Sequence, residues 1–396
     1  MLGAIFIGLS GMEAYSKGLQ TISNNVANMN TLGYKGTAIS FNDVFNGGNS
    51  GLSFSGQGDR QQAGEGVRFG EPQTDFSQGT LQQTNGDLDL AIQGDGFLVL
   101  INGENTYYAR TGQFAVDDKG FVSEQGTENH LAVLDANGQP VALNIDDKRT
   151  SAPVATTTVT FADNLSSTAT DDTVTNIKVF DSVGGTHIWQ AKFVADTANP
   201  GQWAVTVTDD AGATVGTSTL KFTGGAVDPT TEKLTFTTHP AGAADLSVVL
   251  DFSSGVTSFS AGSTSTLRAA SVDGNAMGSL TKVAVNADGK VELTYSNTKT
   301  VLAGSVAIAD FRAPQQLQRV GNGLFQNRNN SQVQLLASNG PGVGTLVSKQ
   351  LEGSNVDLAQ EFGQLIIIQR GFQASSQVVS VSNDMIQELF GLRGHG

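Results

Sequence analysis

The chain has 396 residues, 38% of them hydrophobic, which is enough for two or three domains that each bury a core. Its formal net charge of −15, with 22 basic residues and no basic run, argues against a nucleic-acid or anionic-membrane partner. It contains no cysteine, which excludes disulfides and thiolate metal sites and suits a chain that passes unfolded through a narrow export channel.

Residues 1–34 predict an amphipathic helix. Ile5, Met12, Leu19 and Val26 recur every seven residues, and Ile22 lies three positions after Leu19 on the adjoining seam position. Such spacing is typical of a coiled-coil seam. Gly33 can adopt the left-handed backbone conformation that ends many helices, so we expect the helix to end near it. No positive charge precedes the apolar start, which is also too short to cross a bilayer, so we expect neither a cleaved secretory signal nor a membrane anchor.

An unusual run of amides, with Asn24, Asn25 and Asn28, occupies the end of this predicted helix. Asparagine lowers the stability of a helix interior, so three of them here suggest that their side-chain amides serve another purpose. In one interpretation the segment is a fraying helix end that caps itself. In the other, the amides hydrogen-bond to neighbours and fix the register of an assembly. The sequence favours the two interpretations equally.

Residues 35–72 are rich in Gly, Ser, Asn and Gln from Asn42 to Gly70, which predicts a linker or an extended arm. Residues 73–145 predict an antiparallel β domain, because short apolar runs alternate with Asn-Gly hairpin turns at Asn85, Asn102 and Asn137. Residues 146–276 are rich in Thr, Ser and Ala and predict a second β domain with alternating strand faces.

Residues 277–339 contain further strands around an Asp288-Gly289 turn and are expected to return to the first β domain. This makes 73–145 with 277–339 an inner β domain and 146–276 an inserted outer β domain. Residues 340–350 predict a second glycine-rich linker. We expect the hinge and linker positions to be Gly33, Gly70, Ile145 and Ala276.

Residues 351–396 predict a second amphipathic helix. Its heptad positions, with one flanking aromatic residue, are Leu351, Leu358, Phe362, Leu365, Phe372, Val379 and Ile386. The simple interpretation is that each helix packs on its own chain. Two helices alone would bury too little apolar area to offset the entropy of ordering them, so we expect termini that are loose in the monomer and ordered in a polymer.

We therefore predict an assembly interface on both helices, formed by the N-terminal set with the three amides and by the C-terminal set from Leu358 onward. The predicted fold class is mixed, with terminal α-helical coiled-coil segments that enclose two nested, mainly antiparallel β domains. Such nesting would place both chain ends at one end of the molecule.

No constellation for catalysis or for a cofactor stands out in the sequence. Asp87, Asp89 and Asp95 lie near glycines but fail the spacing of a calcium loop and suit turns instead. Gly94-Asp95-Gly96 lacks the third glycine of a dinucleotide loop. The histidines lack metal-ligand spacing: His130, His187, His239 and His395. We expect no catalytic residue, no cofactor, no metal site and no enzyme activity.

Three groups of motifs resemble those of bacterial flagellar rod and hook proteins. They are Ser23–Asn28 with Thr31–Lys35, then Gly94–Phe97 with Tyr108–Phe114 and Asp117–Val122, and finally Ser354–Leu358 with Gln369–Ala374. Thr294–Asn297 is similar to the segment where hook proteins re-enter the inner β domain. Hook proteins fit best within that family, because distal rod proteins have little between the two ends.

The resemblance implies a tubular homopolymer at the basal body and hook of the flagellum, outside the cell, exported without signal cleavage. It implies a universal joint that carries torque from rod to filament. The implied partners are other copies of the chain, the distal rod, the hook cap, the hook-length ruler, the hook–filament junction proteins and the type III export apparatus. It implies no membrane insertion.

Two alternatives remain open. A distal rod protein would be a stiff driveshaft of similar architecture. A β-rich adhesin would use exposed aromatic residues such as Trp189 and Trp203 to bind glycans, although their alternating pattern favours packing in a core.

Overall fold

The computed structural model describes residues 2–43, 66–328 and 331–393. Helix α1 (Leu2–Ala27) and helix α2 (Leu358–Arg393) lie at the two ends, and the regular structure between them is almost entirely β-strand. A mostly β chain with a helix at each terminus was expected and is confirmed. The coiled coil and the nested domains stay predictions, and residues 44–65 of the predicted arm lie outside the described residues.

The described chain divides into two compact units. The first contains the residues up to Asp146, Val283–Glu292 and the residues from Leu302 onward, whereas the second contains Asp147–Lys282 and Leu293–Val301. No helix among the described residues combines the length and the apolar character that a bilayer crossing requires.

Short strands lie between α1 and residue 146. They are β1 (Thr37–Ala38), β2 (Phe41–Asp43), β3 (Val67–Phe69), β4 (Gln73–Thr74), β5 (Leu81–Gln83), β6 (Asp89–Gln93), β7 (Phe97–Asn102), β8 (Asn105–Ala109), β9 (Thr111–Val116), β10 (Val122–Glu124), β11 (His130–Leu134) and β12 (Pro140–Ala142). The turns at Asn102 and Asn137 do connect hairpins, β7–β8 and β11–β12. The predicted hairpin at Asn85 is wrong, because β5 pairs with a C-terminal strand and β6 pairs with β9.

Strands of two to ten residues follow. They are β13 (Thr150–Ser151), β14 (Thr158–Asn164), β15 (Asp171–Phe180), β16 (Thr186–Ala195), β17 (Gln202–Thr208), β18 (Thr214–Thr223), β19 (Ala226–Val227), β20 (Lys233–Thr238), β21 (Leu246–Asp251), β22 (Val256–Thr257), β23 (Arg268–Val272) and β24 (Gly278–Val285). Ten of these strands form the sheet of the second unit, in the order β15-β16-β17-β18-β19-β22-β14-β21-β20 with β23 beside β14. Strand β14 is parallel to β21 and β22, and the other described pairs of this sheet are antiparallel.

The core of the second unit is apolar and aromatic. Trp189 and Trp203 are both buried in it, as their alternating pattern indicated, which removes them as exposed sugar platforms. The opposite faces of these strands are exposed and rich in Thr and Lys, as in β15 where Thr173 and Lys178 alternate with buried Val174 and Val179.

The last strands are β25 (Lys290–Tyr295), β26 (Thr300–Ser305), β27 (Ala307–Phe311), β28 (Gln318–Gly321), β29 (Leu324–Gln326), β30 (Val333–Ala337), β31 (Thr345–Ser348) and β32 (Gln350–Glu352). The first unit contains a sheet in the order β28-β29-β8-β7-β11-β10-β9-β6-β31, extended by β12, β27 and β30. Strands β13, β24, β25 and β26 form a separate four-stranded sheet, and short 3₁₀ helices span Asp146–Lys148 and Pro314–Gln316.

The end of α1 and the start of α2 differ from the positions that the sequence pattern predicts. Helix α1 ends at Ala27, and Gly33 takes its positive φ of 66° in the following turn, where its amide donates to the Glu352 carbonyl. Helix α2 begins at Leu358 rather than at Leu351, which is buried in β32. The Asp357 carboxylate accepts the amides of residues 359 and 360, so an N-cap sets the start of α2.

Candidate assembly site at the chain termini

Small residues bring α1 and α2 close together. As the chain advances along α1 through Gly8, Gly11 and Gly18, the facing positions on α2 fall back through Val379, Ser375 and Ile368, so the helices are antiparallel. A Cβ added at Gly11 would lie 2.6 Å from Ser375 Oγ, and one at Gly18 would lie 2.8 Å from Ile368 Cδ1. A real Cβ does not approach so closely, so a larger residue at either position would have to displace the facing side chain of α2.

The same seam uses a glycine on α2. A Cβ at Gly371 would lie 2.5 to 2.8 Å from three ring atoms of Tyr15. The Tyr15 ring also packs on Phe41, with centroids 5.3 Å apart, and Phe41 meets Phe69 edge-on. The helix pair thus continues into the aromatic residues of β2 and β3.

A buried ion cluster joins the two terminal segments to the β-sheet of the first unit. The Lys35 ammonium lies 2.7 Å from one Glu352 carboxylate oxygen, and Arg110 Nε lies 3.2 Å from the other. The side chains of Lys35 and Glu352 are 0% exposed and that of Arg110 is 4% exposed. One carboxylate therefore holds a residue that follows α1, a residue of the loop between β8 and β9, and a strand that precedes α2.

Further hydrogen bonds satisfy every member of the cluster. Lys35 also donates to the Ser77 carbonyl, Glu352 also accepts the Gly79 amide, and Arg110 donates to the carbonyls of residues 92, 94 and 96. Burial lowers the pKa of Lys35 and the neighbouring Glu352 carboxylate opposes that shift. Loss of one member would leave the others charged, buried and incompletely paired, which is strongly destabilising.

Asn25 is the centre of a second buried network. Its amide nitrogen donates to the Thr37 carbonyl and to Glu361 Oε1, and its amide oxygen accepts the Thr37 amide and the Tyr34 hydroxyl. Asn25 is 1% exposed and makes four bonds, so its amide connects α1, β1 and α2 within one chain. By contrast, Asn28 donates to its near neighbour Asn24, as a helix end that caps itself would do.

Asn355 completes the junction, the region where the segment that follows α1 and the segment that precedes α2 meet the β-sheet of the first unit. Its amide oxygen accepts the Gly36 amide at 2.7 Å, and its nitrogen donates to the carbonyls of Asp75 and Ser77. Arg319 stacks over the Tyr34 ring and donates to the Lys35 carbonyl. Parts of three of the motif groups therefore meet at one place, where they fix how the helices leave the sheet: Asn25, Tyr34 and Lys35 of the first, Arg110 of the second and Asn355 of the third.

Many large apolar side chains of the two helices face solvent. Phe6 is 67% exposed on α1, and Ile367 and Phe390 are 69% and 70% exposed on α2. The other exposed large apolar residues of the helices are Ile7, Leu9, Leu358, Phe362, Ile366, Phe372, Val378, Val381, Met385 and Leu389. A soluble chain rarely exposes so many large apolar side chains on two packed helices unless they belong to an interaction site.

The predicted interface residues are divided between buried and exposed positions. Ile22 and Asn25 are buried, and Leu358, Phe362 and Phe372 are exposed. The half-buried members are Ile5, Met12, Leu19, Val26, Asn28, Leu365, Val379 and Ile386, while Asn24 is exposed. The structure holds a single chain, so the role of these residues in assembly stays a prediction.

The four hinge positions lie in different surroundings. Gly33 and Gly70 are buried, Ile145 is fully buried, and Ala276 is half-buried next to Asn275. The Gly70 amide donates to the Ser40 carbonyl. The proposed hinge role of all four residues stays a prediction.

Sequence reasoning gave no role to several residues that build this site. Lys35, Arg110 and Gly371 stand only within the motifs of the family resemblance, and Glu352 and Glu361 stand in none of them. A buried lysine next to a predicted helix end is detectable only when its carboxylate partner, 317 positions away, is known. Among the described residues, no group of His, Asp and Glu side chains is arranged to hold a metal ion.

Three family models match the chain. The description "Flagella basal body rod protein" covers residues 5–35, and "Flagellar basal body rod FlgEFG protein C-terminal" covers residues 347–392. The third, "Flagellar basal body protein FlaE D2 domain", covers residues 144–340. The two terminal matches include Asn25, Lys35, Glu352 and Glu361 of the buried networks, whereas Arg110 and Thr37 lie outside them.

Similar proteins extend over the whole chain. The chain is 30% identical over 413 residues to the flagellar hook protein FlgE of Escherichia coli, covering 97% of this chain and 98% of that protein. It is 28% identical over 468 residues to the flagellar hook protein FlgE of Treponema pallidum, covering 99% and 100%. The crystal structure of the Helicobacter pylori flagellar hook protein FlgE2 shares the fold, with a TM-score of 0.50 and 13% identity over 68% of this chain and 100% of that one. The chain therefore belongs to the flagellar hook protein family.

Proposed function

We propose that this chain is the structural subunit of a bacterial flagellar hook, a helical tubular homopolymer whose subunits join through α1 and α2. The exposed apolar surface of the two helices carries this proposal. Burial of a large apolar side chain is worth about 1.5–3 kcal/mol, so ten or more such residues favour association strongly. Intramolecular packing along the glycine seam leaves this surface uncovered.

The polymer acts as a universal joint that carries torque from rod to filament. During rotation each row of subunits shortens and lengthens once per turn, so contacts between subunits must slide. The threonine-rich strand faces of the second unit support such sliding, because a polar, wet contact changes partners at lower cost than an interlocked apolar one. The hinge residues named above are proposed to absorb the bending.

The remaining parts of the proposal follow from family membership. The chain is expected to leave the cell through the type III export apparatus without losing a signal peptide, and to work outside the cell at the flagellar basal body and hook. Its proposed partners are other copies of itself, the distal rod, the hook cap, the hook-length ruler and the hook–filament junction proteins. We propose no enzyme activity and no cofactor.

A distal rod protein is the second candidate. The terminal matches do not separate the two, because their descriptions name rod proteins. The match of residues 144–340 to the FlaE D2 domain and the hook proteins among the relatives favour the hook. An adhesin is disfavoured, because both tryptophans are buried.

Electron microscopy of the concentrated full-length protein tests this function. Ile367→Asp places a charge on the exposed face of α2, and Ser376→Asp is a matched control at an exposed polar position of the same helix. Curved tubes from the wild type and the control, with none from Ile367→Asp, support the hook. Straight tubes would assign the chain to the rod, and separate monomers in all samples would refute assembly.

A further inference from the structure

The outward face of α2 carries an unpaired cation. Arg370 is exposed, and among the described residues it has no ion-pair partner. Nine residues separate it from Val379, which faces Gly8 on the glycine seam. At 100° per residue, nine residues amount to two and a half turns, so Arg370 points away from the seam. The exposed Ile366 and Ile367 lie one turn before it on the same side, so a copy that covers them desolvates the guanidinium too, which then needs an anionic partner.

Two carboxylates lie further along the same face. Asp384 and Glu388 are exposed, and neither has an ion-pair partner in the part of the chain that the structure describes. Glu388 follows Arg370 by 18 residues, which is five whole turns, and Asp384 follows it by 14 residues, which is within about 40° of the same line. The exposed Val381 and Met385 lie on this side as well. The outward face therefore has a cation toward its N-terminal end, apolar residues along it and two anions toward its C-terminal end.

These charges do not complement each other within one helix. Asp384 and Glu388 are four residues apart, so their like charges repel across one turn. Both lie roughly 21–27 Å along the helix from Arg370, at a rise of about 1.5 Å per residue, which is too far for an ion pair. A cation between the two carboxylates would relieve their repulsion. Arginine suits that position, because its planar group has five N–H donors and can bond to two carboxylates at once.

Resting on the proposed function, we propose that the Arg370 guanidinium of one copy binds between the Asp384 and Glu388 carboxylates of a second copy. Copies in a helical polymer are related by a rotation about one axis and a shift along it, so their α2 helices keep the same direction. A shift of roughly 21–27 Å along α2 brings the cation of one copy beside the two anions of the next. Apolar contacts tolerate many shifts, whereas this charge-assisted contact forms at one, so it fixes the register between adjacent copies.

The test measures the critical concentration for polymerisation by sedimentation at one fixed salt concentration. Arg370→Glu places a third anion at this contact and is expected to raise the critical concentration by about tenfold or more. The exchange variant adds Asp384→Lys and Glu388→Lys, which reverses the contact, and should return the critical concentration to within about threefold of the wild-type value. All three positions are exposed, so each monomer should melt close to the wild-type temperature, which checks that the fold is intact.

A matched control combines Arg370→Glu with Glu104→Lys and Asp210→Lys, which replace exposed carboxylates in the turns after β7 and β17. It has the net charge of the exchange variant but keeps Asp384 and Glu388, so it should polymerise as poorly as Arg370→Glu alone. Equal rescue by both variants would assign the effect to net charge and overturn the contact. A wild-type critical concentration in Arg370→Glu, or no rescue by the exchange variant, would also overturn it. A wild type that never polymerises would refute the proposed function itself, and this inference would fall with it.

Discussion

Glu352→Gln tests whether the buried ion cluster holds the terminal segments on the β-sheet. Glutamine preserves the size of the side chain but leaves Lys35 and Arg110 without a carboxylate between them. Breaking a buried pair costs roughly 3–5 kcal/mol. Arg110 keeps three carbonyl acceptors and Lys35 keeps one, so we expect the lower end, about 3 kcal/mol.

The readout must be local, because a chain of two compact units need not unfold in a single transition. The Gly33 amide donates to the Glu352 carbonyl at 2.8 Å, so its hydrogen exchange reports the opening of this junction. A loss of about 3 kcal/mol predicts roughly a hundredfold faster exchange at Gly33. Amides of β17 in the second unit should exchange at the wild-type rate and serve as an internal control.

Glu13→Gln removes a carboxylate from an exposed ion pair with Lys17 and should leave the Gly33 exchange rate unchanged, because such pairs contribute little. The double variant Lys35→Met with Glu352→Gln should cost less than the sum of the two single variants, because each removes the same contact. Unchanged protection of Gly33 in Glu352→Gln would refute the argument that this cluster fixes the junction.

Three further predictions concern the helices. Gly371→Ala should lower monomer stability, because its Cβ would lie within 2.8 Å of the rigid Tyr15 ring. A Cβ at Gly363 meets no atom of the described residues within 4 Å, so Gly363→Ala should stabilise α2 by about 1 kcal/mol. Equal shifts in the melting temperatures of the two variants would contradict a close glycine contact. Phe372→Asp should abolish sedimentable polymer and leave the β-sheet circular dichroism signal unchanged, whereas loss of that signal would indicate a role in the monomer. Burial raises the pKa of Glu361 above its ordinary 4.5, so the charged form destabilises the monomer above the raised pKa and the penalty disappears below 4.5. Replacement by Gln should therefore raise the melting temperature at neutral pH and not at about pH 4, and an equal gain at both would exclude titration as the cause.

The sequence predicted strands best where one face is buried. In β16 the burial of Trp189, Ala191 and Phe193 alternates with exposed neighbours, so a period of two residues was visible. Prediction failed at Asn85-Gly86, because the turn signal is local whereas the partners of β5 and β6 are set by strands distant in sequence. The start of α2 was misplaced because Leu351 fits the heptad by spacing alone, although it lies in a strand.

The ion cluster was not predictable for a different reason. Its charges come from positions 35, 110 and 352, and nothing in the sequence near any one of them identifies the other two. The amide of Asn25 was noticed because asparagine is costly in a helix, but its partners Thr37 and Glu361 emerge only from the fold.

The glycine seam changes what the heptad pattern means. A heptad of large apolar residues is usually interpreted as the surface that meets the neighbouring helix. In this chain the close approach within one subunit is made at Gly8, Gly11, Gly18 and Gly371, where a Cβ would collide with the partner helix. Because small residues fill the intramolecular contact, large side chains such as Phe362 and Ile367 remain outside it. One pair of helices can then hold together in the monomer and still present an apolar face to other copies. It follows that substitutions on the glycine seam should impair the monomer, whereas substitutions at the exposed residues should impair only the polymer.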